Sequence, residues 1–538
     1  MNTERARDLL ANLLERARSS GEKVFLTSRE VSALAILLGE ETANPAHPSE
    51  PRVDDASRLP IASVALTPVQ VTEAEIAPKA MLCLDFGTSF SKAFVSVDIG
   101  GDEPELIDLP LGDASTGAKL TTPSELFIDG DWIYLGVDAR RRWDDIQAPT
   151  ERLVDSIKQF ITLNMDVSTL GQRAMPPAQD PRQQFSQRDI LVLYLAHLTA
   201  LTERAAKEKG LTPNLRRRFT HPAWKDETRE HNEREMRRLM AEAVVLARSA
   251  PAEFTTKIAY ASARRLLDQL SSVGSDKLPS VLIGEPVREA TAAGAGALLT
   301  TREGKREAYL VLDIGAGTTD VAGFYCVNNP NNDRMRVFEV SSAADAKNVA
   351  GNTLDNALQR FVLDRSGLSL DSAEARLAGH ALRRQVRNYK EQLFRTGKLI
   401  VELTTDQLVE VNLDEFLSYG PVMQFNKLIT EMVARSAAAL AGDLGRVKLV
   451  ATGGGATLPI VRQLGEDGVR HGSKQVVFSV VDAMSNDLRE THPDLIDPYP
   501  QIAVALGGSL PNLPEQRSSI PTGISTPPKL TLSPIYKS

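Results

Sequence analysis

One short motif, in which an apolar run ends at an aspartate before a glycine-containing turn, occurs twice in this chain of 538 residues. The two copies are Leu82-Cys-Leu-Asp85-Phe-Gly87-Thr88-Ser89 and Leu310-Val-Leu-Asp313-Ile-Gly315-Ala316-Gly317-Thr318-Thr-Asp320. In each copy, a second strand-like run follows the hydroxyl residues. The motif therefore predicts a β-hairpin with a tight turn in each half of the chain, and a fold built from two related halves.

The two turns have the residues that a phosphate site needs. Their glycines allow positive φ and leave no Cβ in the path of a ligand. Successive backbone N–H groups and hydroxyls would then bind phosphate oxygens. The candidate phosphate-binding residues are Gly87, Thr88, Ser89, Gly315, Ala316, Gly317 and Thr318. Asp85 and Asp313 would hold Mg²⁺ through water, since this ion prefers oxygen ligands and keeps several waters. The alternative is two ordinary glycine turns without a ligand.

A third glycine-rich segment follows the apolar run at 448–452. It consists of Gly453, Gly454 and Gly455, and Pro459 then has the position of a helix's first residue. Backbone without side chains can approach a base or a ribose closely. Elsewhere strand-like runs alternate with helical patterns, which lie at 228–248, 353–364, 373–396 and 421–441. This alternation predicts an α/β fold.

Composition disfavours several other classes of protein. The net charge of −8 is not typical of a nucleic-acid-binding protein. Cys83 and Cys326 lie in strand-like runs, which fits buried small side chains in a reducing cytoplasm. The chain has neither a signal peptide pattern nor an apolar run of about 18 residues that could cross a membrane. P-loop, dinucleotide-binding and protein-kinase signatures are absent as well. We therefore expect a cytoplasmic protein without nucleic-acid or membrane partners.

Proline and polar residues divide the chain into segments. Residues 1–40 predict a small N-terminal helical module, and residues 41–79 predict a disordered Pro-rich linker. Residues 80–510 form the α/β body, within which 166–188 predict a surface loop. Residues 511–538 are Pro-rich again and predict a disordered tail.

In their order, these motifs resemble the actin, hexokinase and heat-shock-chaperone ATPase superfamily, and within it the nucleotide-binding domain of DnaK-type (heat shock protein 70) chaperones. Three further segments are similar to that domain: Phe219-Thr-His-Pro222-Ala-Trp224, Leu282-Ile-Gly-Glu285-Pro286 before ATAAGAGAL, and Pro500-Gln-Ile-Ala-Val-Ala-Leu-Gly-Gly508. The resemblance implies a two-lobed actin-like fold with duplicated ribonuclease-H-like lobes. Lobe I would span about 80–305 and 485–510, and lobe II about 306–484.

The resemblance also implies catalytic roles for four residues. Lys158, seven residues into Arg152-Leu-Val-Asp-Ser-Ile-Lys158, would contact the γ-phosphate and the attacking water. Glu285 would orient water near Mg²⁺, and Asp313 would position the attacking water or accept its proton. Asp85 would hold the Mg²⁺ shell.

For the adenosine, the resemblance implies contacts from Gly453, Gly454 and Gly455. The helix that supplies further adenosine contacts in the family aligns with Arg387, Lys390, Glu391 and Phe394, and Lys390 is the candidate ribose contact. Two residues depart from the family pattern. Thr457 stands where an arginine is usual, and Gln501 where an acidic residue is usual. Phosphate and Mg²⁺ binding are thus better supported than adenine specificity.

The resemblance implies an ATP- and ADP-binding protein with slow Mg²⁺-dependent hydrolysis. ATP would close the two lobes, and a protein partner or co-chaperone would respond to the closed state. From the Pro-rich segment after about residue 510, we expect the family's peptide-binding domain to be missing. Three alternatives remain: a non-hydrolysing nucleotide-sensing scaffold, an actin-like filament protein and a small-molecule kinase.

Overall fold

The computed structural model describes residues 64–100, 104–113, 118–163, 166–222, 224, 226–298, 306–329, 334–369, 371–441 and 446–517. The predicted helical module at 1–40, the first part of the predicted linker at 41–79 and most of the predicted tail at 511–538 lie outside these residues. Residues 64–79 pack against the body, with Val69 and Ile76 buried in its core. The folded body therefore begins before residue 80.

The N-terminal half of the body contains one main sheet, one small sheet and the helices around them. Its strands are β1 (Ala80–Asp85), β2 (Phe90–Val97), β3 (Glu105–Asp108), β4 (Thr122–Pro123), β5 (Leu126–Asp129), β6 (Trp132–Leu135), β7 (Leu153–Val154), β8 (Arg216–His221), β9 (Lys257–Ala259) and β10 (Val287–Arg288). Its helices are α1 (Val137–Asp145), α2 (Gln159–Thr162), α3 (Gln187–Glu208), α4 (Asp226–Ser249), α5 (Pro251–Thr256), α6 (Tyr260–Ser271) and α7 (Glu289–Leu298). The main sheet has the order β10-β8-β1-β2-β3 with β4 beside β2, and the small sheet the order β7-β5-β6-β9.

The C-terminal half is arranged around a second main sheet. Its strands are β11 (Arg306–Ile314), β12 (Thr319–Asn329), β13 (Arg334–Lys347), β14 (Lys398–Glu402), β15 (Leu408–Asn412), β16 (Arg446–Thr452), β17 (Val469–His471), β18 (Lys474–Val481) and β19 (Glu515–Arg517). Its helices are α8 (Gly351–Ser366), α9 (Ala373–Thr396), α10 (Leu413–Leu417), α11 (Gly420–Ala441), α12 (Pro459–Asp467), α13 (Asn486–Thr491) and α14 (Tyr499–Ser509). The sheet order is β17-β18-β16-β11-β12-β13-β19, and β14 and β15 form a separate hairpin.

The two main sheets share one topology. In the first, β1, β2 and β3 form an antiparallel meander, and β8 and then β10 add parallel strands on the other side of β1. In the second, β11, β12 and β13 form the meander, and β16 and then β18 add the parallel strands beside β11. The predicted α/β class is confirmed, and so is a hairpin at each aspartate motif.

Two helices that are rich in small residues lie between the main sheets. Helices α7 and α14 contact each other, and side chains of both sheets join them in an apolar core of their own. A Cβ on Gly507 would overlap the carbonyl oxygen of Ala292, and a Cβ on Gly508 would overlap the sulfur of Cys83. The absence of side chains at these positions therefore lets α14 lie directly against α7 and β1.

The longer helices end close to their predicted bounds, because an apolar face at helical spacing is a strong signal. The pattern at 373–396 coincides with α9, and the other three predicted helices correspond to α4, α8 and α11. The surface loop predicted at 166–188 is confirmed in part: residues 173–186 lie outside the helices and strands and are mostly exposed, but the segment is anchored in the core. Leu170 and Phe185 are buried, and the buried Asp180 accepts hydrogen bonds from the N–H groups of Gln184 and Phe185. An internal carboxylate thus satisfies backbone that the sequence suggested would face solvent.

Candidate functional site

Polar residues gather where three strands of the first sheet end. The carboxyl ends of neighbouring parallel strands meet at one edge of a sheet. Asp85 ends β1, Thr220 lies near the end of β8, and Glu289 follows β10 as the first residue of α7. Thr220 Oγ1 donates a hydrogen bond to Asp85 Oδ1 at 3.0 Å, and all three side chains are buried. The strand order therefore surrounds the first aspartate with polar groups.

The first hairpin pairs its aspartate with a lysine. Asp85 lies opposite Lys92 in the register of β1 and β2, and Lys92 Nζ is 3.1 Å from Asp85 Oδ2. Ser124 Oγ donates to the Gly87 carbonyl oxygen at 2.7 Å and so holds the turn from its other side. The first turn is therefore ordered, and its carboxylate has partners on both oxygens.

The second hairpin places an aspartate opposite an aspartate. Asp313 faces Asp320 in the register of β11 and β12, and both residues are more than nine-tenths buried. Asp313 Oδ1 and Asp320 Oδ2 have no hydrogen-bond partner among the described residues. Buried carboxyl oxygens without partners are costly unless a proton or a cation joins them. A proton or a cation bound at these oxygens would therefore stabilise the second turn.

The two turns touch each other. A Cβ on Gly317 would lie 2.5 Å from Thr88 Oγ1, so a side chain does not fit there. Glycine allows positive φ, but Gly87, Gly315 and Gly317 do not adopt it. At Gly317, the requirement for glycine comes instead from the close approach of the opposite turn.

The triple-glycine segment lies against the second aspartate. Gly453 has a φ of +78°, and a Cβ at this position would also overlap Asp313 Oδ1. Gly455 N–H donates to the Ile314 carbonyl oxygen at 2.9 Å, which ties the segment to the second turn. Gly454 is exposed and has open space where its Cβ would be. The segment therefore forms one wall of the site and leaves its central backbone accessible.

A buried ion pair lies beside the turns. Lys158 immediately precedes α2, and its Nζ is 2.5 Å from Glu289 Oε1. Both side chains are less than one-tenth exposed. Burial opposes the charge on Lys158, but the attraction of Glu289 and then of Asp85 outweighs it and raises the pKa of Lys158. The lysine therefore stays charged inside the site.

Acidic groups outnumber basic groups in this site. The set, which we call the carboxylate cluster, is buried except for the partly exposed Lys92 and has four carboxyl and two ammonium groups: Asp85, Glu289, Asp313, Asp320, Lys92 and Lys158. Burial, Glu289 and Asp85 raise the pKa of Asp313 to about 7. Burial, Glu289 and Asp313 raise the pKa of Asp320 to about 8. The cluster therefore takes up protons near neutral pH unless a cation supplies the charge in their place.

The sequence prediction placed Asp85, Asp313 and Lys158 together, and the structure brings them into one cluster. It does not bring Glu285 there, because that side chain is 81% exposed and pairs with Arg237 Nη1 at 2.9 Å. Glu289 takes its place. The available signal was a single glutamate opening the otherwise small and apolar helix EATAAGAGAL. Three other residues of this region were not among the predicted site residues: Lys92, Thr220 and Asp320.

Lys390, the candidate ribose contact, lies near the second turn. Its Nζ is 2.8 Å from Asp355 Oδ1 and donates to the Gly351 carbonyl oxygen at 3.2 Å. Gly351 N–H in turn donates to the Gly315 carbonyl oxygen at 3.0 Å. Thr457, in the loop after the triple glycine, is exposed. Lys390 is thus linked to the second turn through one glycine of α8.

Comparison with known proteins assigns no family to this chain. No protein-family model matches it, and no curated protein is significantly similar to it. Across the residues that the structure describes, no helix is both long and apolar enough to cross a membrane. In the same residues, no three His, Cys, Asp or Glu side chains are arranged to hold a metal ion directly. The basis for a function is therefore the geometry of the site.

Proposed function

We propose that this chain is a heat-shock-70-like ATPase with the two-lobed actin-like fold, which binds ATP with Mg²⁺ between its halves and hydrolyses it slowly. One observation carries the proposal. The repeated sheet topology brings the turns at Asp85 and Asp313 and the segment at Gly453 together around a buried excess of carboxyl groups. Three antiparallel strands followed by two parallel ones, once in each half, also fit the duplicated lobes that the motif resemblance implies.

The carboxylate cluster fits Mg²⁺ held through water and phosphate. This ion usually keeps several waters and takes few protein carboxylates, so a direct three-ligand group is not required. Asp85 and Asp313, with Asp320 beside them, would hold its hydration shell, and the unpartnered oxygens Asp313 Oδ1 and Asp320 Oδ2 are suitable acceptors. When bound, Mg²⁺ would neutralise the phosphates of the nucleotide and the carboxyl excess together.

The phosphate chain would be bound by the two turns. Backbone N–H groups at 87–89 and 315–318 and the hydroxyls of Thr88, Ser89 and Thr318 supply neutral donors. Lys92 and Lys158 supply charge. The exposed backbone of Gly454 leaves room for the adenosine, and Lys390 remains the candidate ribose contact.

Two residues of the cluster would act on the attacking water. Lys158, kept charged and fixed by Glu289, would donate to the γ-phosphate and stabilise charge that develops there. Asp313, whose pKa of about 7 lies near neutral pH, would accept a proton as the water attacks phosphorus and ADP leaves. Positioning and charge neutralisation of this kind are the main contributions of a protein to phosphoryl transfer.

Calorimetry with Mg-ATP and Mg-ADP on the full chain tests the proposal, and steady-state phosphate release tests the chemistry. We expect saturable binding and slow turnover. K158A should reduce turnover by roughly 100-fold or more while binding survives, because Lys158 acts mainly as charge develops. Absence of nucleotide binding by the wild-type chain would refute the function. Unchanged turnover in K158A would refute the catalytic assignment alone.

A second candidate function is a non-hydrolysing nucleotide sensor. The close ion pair between Lys158 and Glu289 favours it, since a lysine engaged with a carboxylate has less freedom to reach a phosphate. Tight Mg-ATP binding with no phosphate release would decide for the sensor. In either case, we propose that a protein partner in the cytoplasm responds to closure of the two halves.

A further inference from the structure

One face of helix α9, which belongs to the C-terminal half, lies along the N-terminal half. Three cationic or ionisable side chains at helical spacing make the contacts: His380, Arg384 and Arg387. His380 Nδ1 is 3.2 Å from Thr150 Oγ1. The Arg384 guanidinium lies 4.0 Å from the centre of the Trp143 ring. Residues three and four apart share a face of a helix, so these three side chains form a row along α9. This row lies where the C-terminal half contacts the N-terminal half.

Arg387, at the end of this row, reaches the first turn. Its Nη2 donates to Ser89 Oγ at 2.7 Å, and its guanidinium lies over the Phe90 ring, 5.1 Å from the ring centre. Ser89 follows Thr88 in the turn that begins at Asp85. The guanidinium is therefore held at the candidate phosphate turn by a hydroxyl and a ring, both of them uncharged.

The charge of Arg387 has no close counter-ion in the described part of the chain. Among the described residues, no carboxylate lies within ion-pair distance of it. Arg387 interacts electrostatically with Glu125 over a longer distance, but Glu125 already accepts a hydrogen bond from Arg140 Nε at 2.9 Å. Lys390, three residues along α9, differs in this respect because Asp355 neutralises it. Arg387 is thus the cation of this helix that is available to an anion at the turn.

We infer that Arg387 is a phosphate-binding residue of the proposed nucleotide site, supplied by the C-terminal half to the turn of the N-terminal half. The inference rests on the proposed function. A guanidinium has five N–H donors in a planar fork, so Arg387 keeps Ser89 with one N–H and binds phosphate oxygens with others. The ligand it selects is a polyphosphate, and the nucleoside part contributes nothing to its contact.

Calorimetry on the full chain with two probes, Mg-ATP and magnesium tripolyphosphate, tests this assignment. We expect R387A to weaken the binding of both probes by a similar factor of roughly 10 or more, because hydrogen bonds to charged groups contribute more free energy than hydrogen bonds between neutral groups. R387K should fall between the wild type and R387A, since it keeps the charge and loses the fork. R383A, which removes an exposed arginine from the same helix, should leave both affinities unchanged.

The outcomes separate the two ideas. Equal affinity of R387A and the wild type for both probes, or a loss for Mg-ATP without a loss for tripolyphosphate, would overturn the assignment and leave the ATPase proposal intact. A wild-type chain that binds neither probe would overturn both. The thermal midpoint of each variant without ligand shows whether it is folded. If R387A is not folded, the affinities of R387K for the two probes are compared with those of the wild type instead.

Discussion

The two hairpins of this protein have the same topology and opposite electrostatics. In the first, Lys92 lies opposite Asp85 and satisfies it. In the second, Asp320 lies opposite Asp313, and one oxygen of each is without a partner in the part of the chain that the structure describes. The same hairpin topology thus gives one turn whose aspartate is neutralised by a lysine. It gives a second turn whose two aspartates would be stabilised by added positive charge. The difference teaches that the unsatisfied negative charge of the site lies in the second hairpin, so a proton or a cation should have its larger effect there.

The same substitution in the two hairpins should therefore change stability in opposite directions, and the larger effect belongs to the first. D85N leaves the mostly buried Lys92 ammonium without its counter-charge. Breaking a buried pair in this way costs about 3–5 kcal/mol of unfolding free energy. Urea denaturation of the wild type and D85N at pH 7 measures the loss.

The double variant D85N/K92M is the matched control for that experiment. It removes both charges, and replacement of a buried pair by apolar groups is often neutral. We expect it to recover most of the lost stability. If D85N alone unfolds at the same urea concentration as the wild type, the ion pair does not stabilise the first turn. The predicted electrostatic difference between the two hairpins is then wrong for the first hairpin.

Much of the fold was predictable from the sequence because its signals are local. The apolar runs before Asp85 and Asp313 and the helical pattern at 373–396 specify their own secondary structure. Counting residues across each turn would also have predicted that Lys92 faces Asp85 and Asp320 faces Asp313. These parts of the site depend on hairpin register, which is short-range.

The parts that were not predictable depend on which strands are neighbours. Glu285 and Glu289 are four residues apart, and only the parallel placement of β10 beside β8 decides which of them reaches Asp85. The contact of Arg387 with Ser89 joins residues almost 300 positions apart in the chain. No local pattern contains such information, since it arises when the two halves pack together.

The second hairpin should gain stability from the substitution that harms the first. Burial and neighbouring carboxylates raise the pKa of Asp313 from its ordinary 3.8 to about 7, so the folded chain holds this proton more tightly than the unfolded chain. That stability is fully present below pH 3.8 and is lost as the pH rises through about 7. D313N is neutral at every pH and should therefore be more stable than the wild type at pH 8, by about 1–3 kcal/mol without Mg²⁺, and its advantage should be smaller at pH 5.

Thermal denaturation of D313N and the wild type at both pH values measures this gain. D371N, which changes an exposed aspartate of the same half, is the control and should follow the wild type. D313N should also lose most ATP turnover, because an amide cannot accept the proton of the water. A D313N protein that is less stable than the wild type at pH 8 would show that the second hairpin does not bear an excess of negative charge.

The smallest expected effect is stabilisation by Mg²⁺ alone, and it should depend mainly on the second hairpin. At ten times its Kd, an ion that binds the folded chain contributes about 1.4 kcal/mol. We expect this gain at pH 8 and a smaller one at pH 6, where protons on Asp313 and Asp320 compete with the ion. The double variant D313N/D320N should lose the gain, while K92A should keep it, because K92A leaves both carboxyl groups of the second hairpin in place. Thermal midpoints in MgCl₂ and in KCl of equal ionic strength give the measurement, and equal midpoints for the wild type in the two salts at pH 8 would place the cation requirement on the nucleotide rather than on the carboxylate cluster.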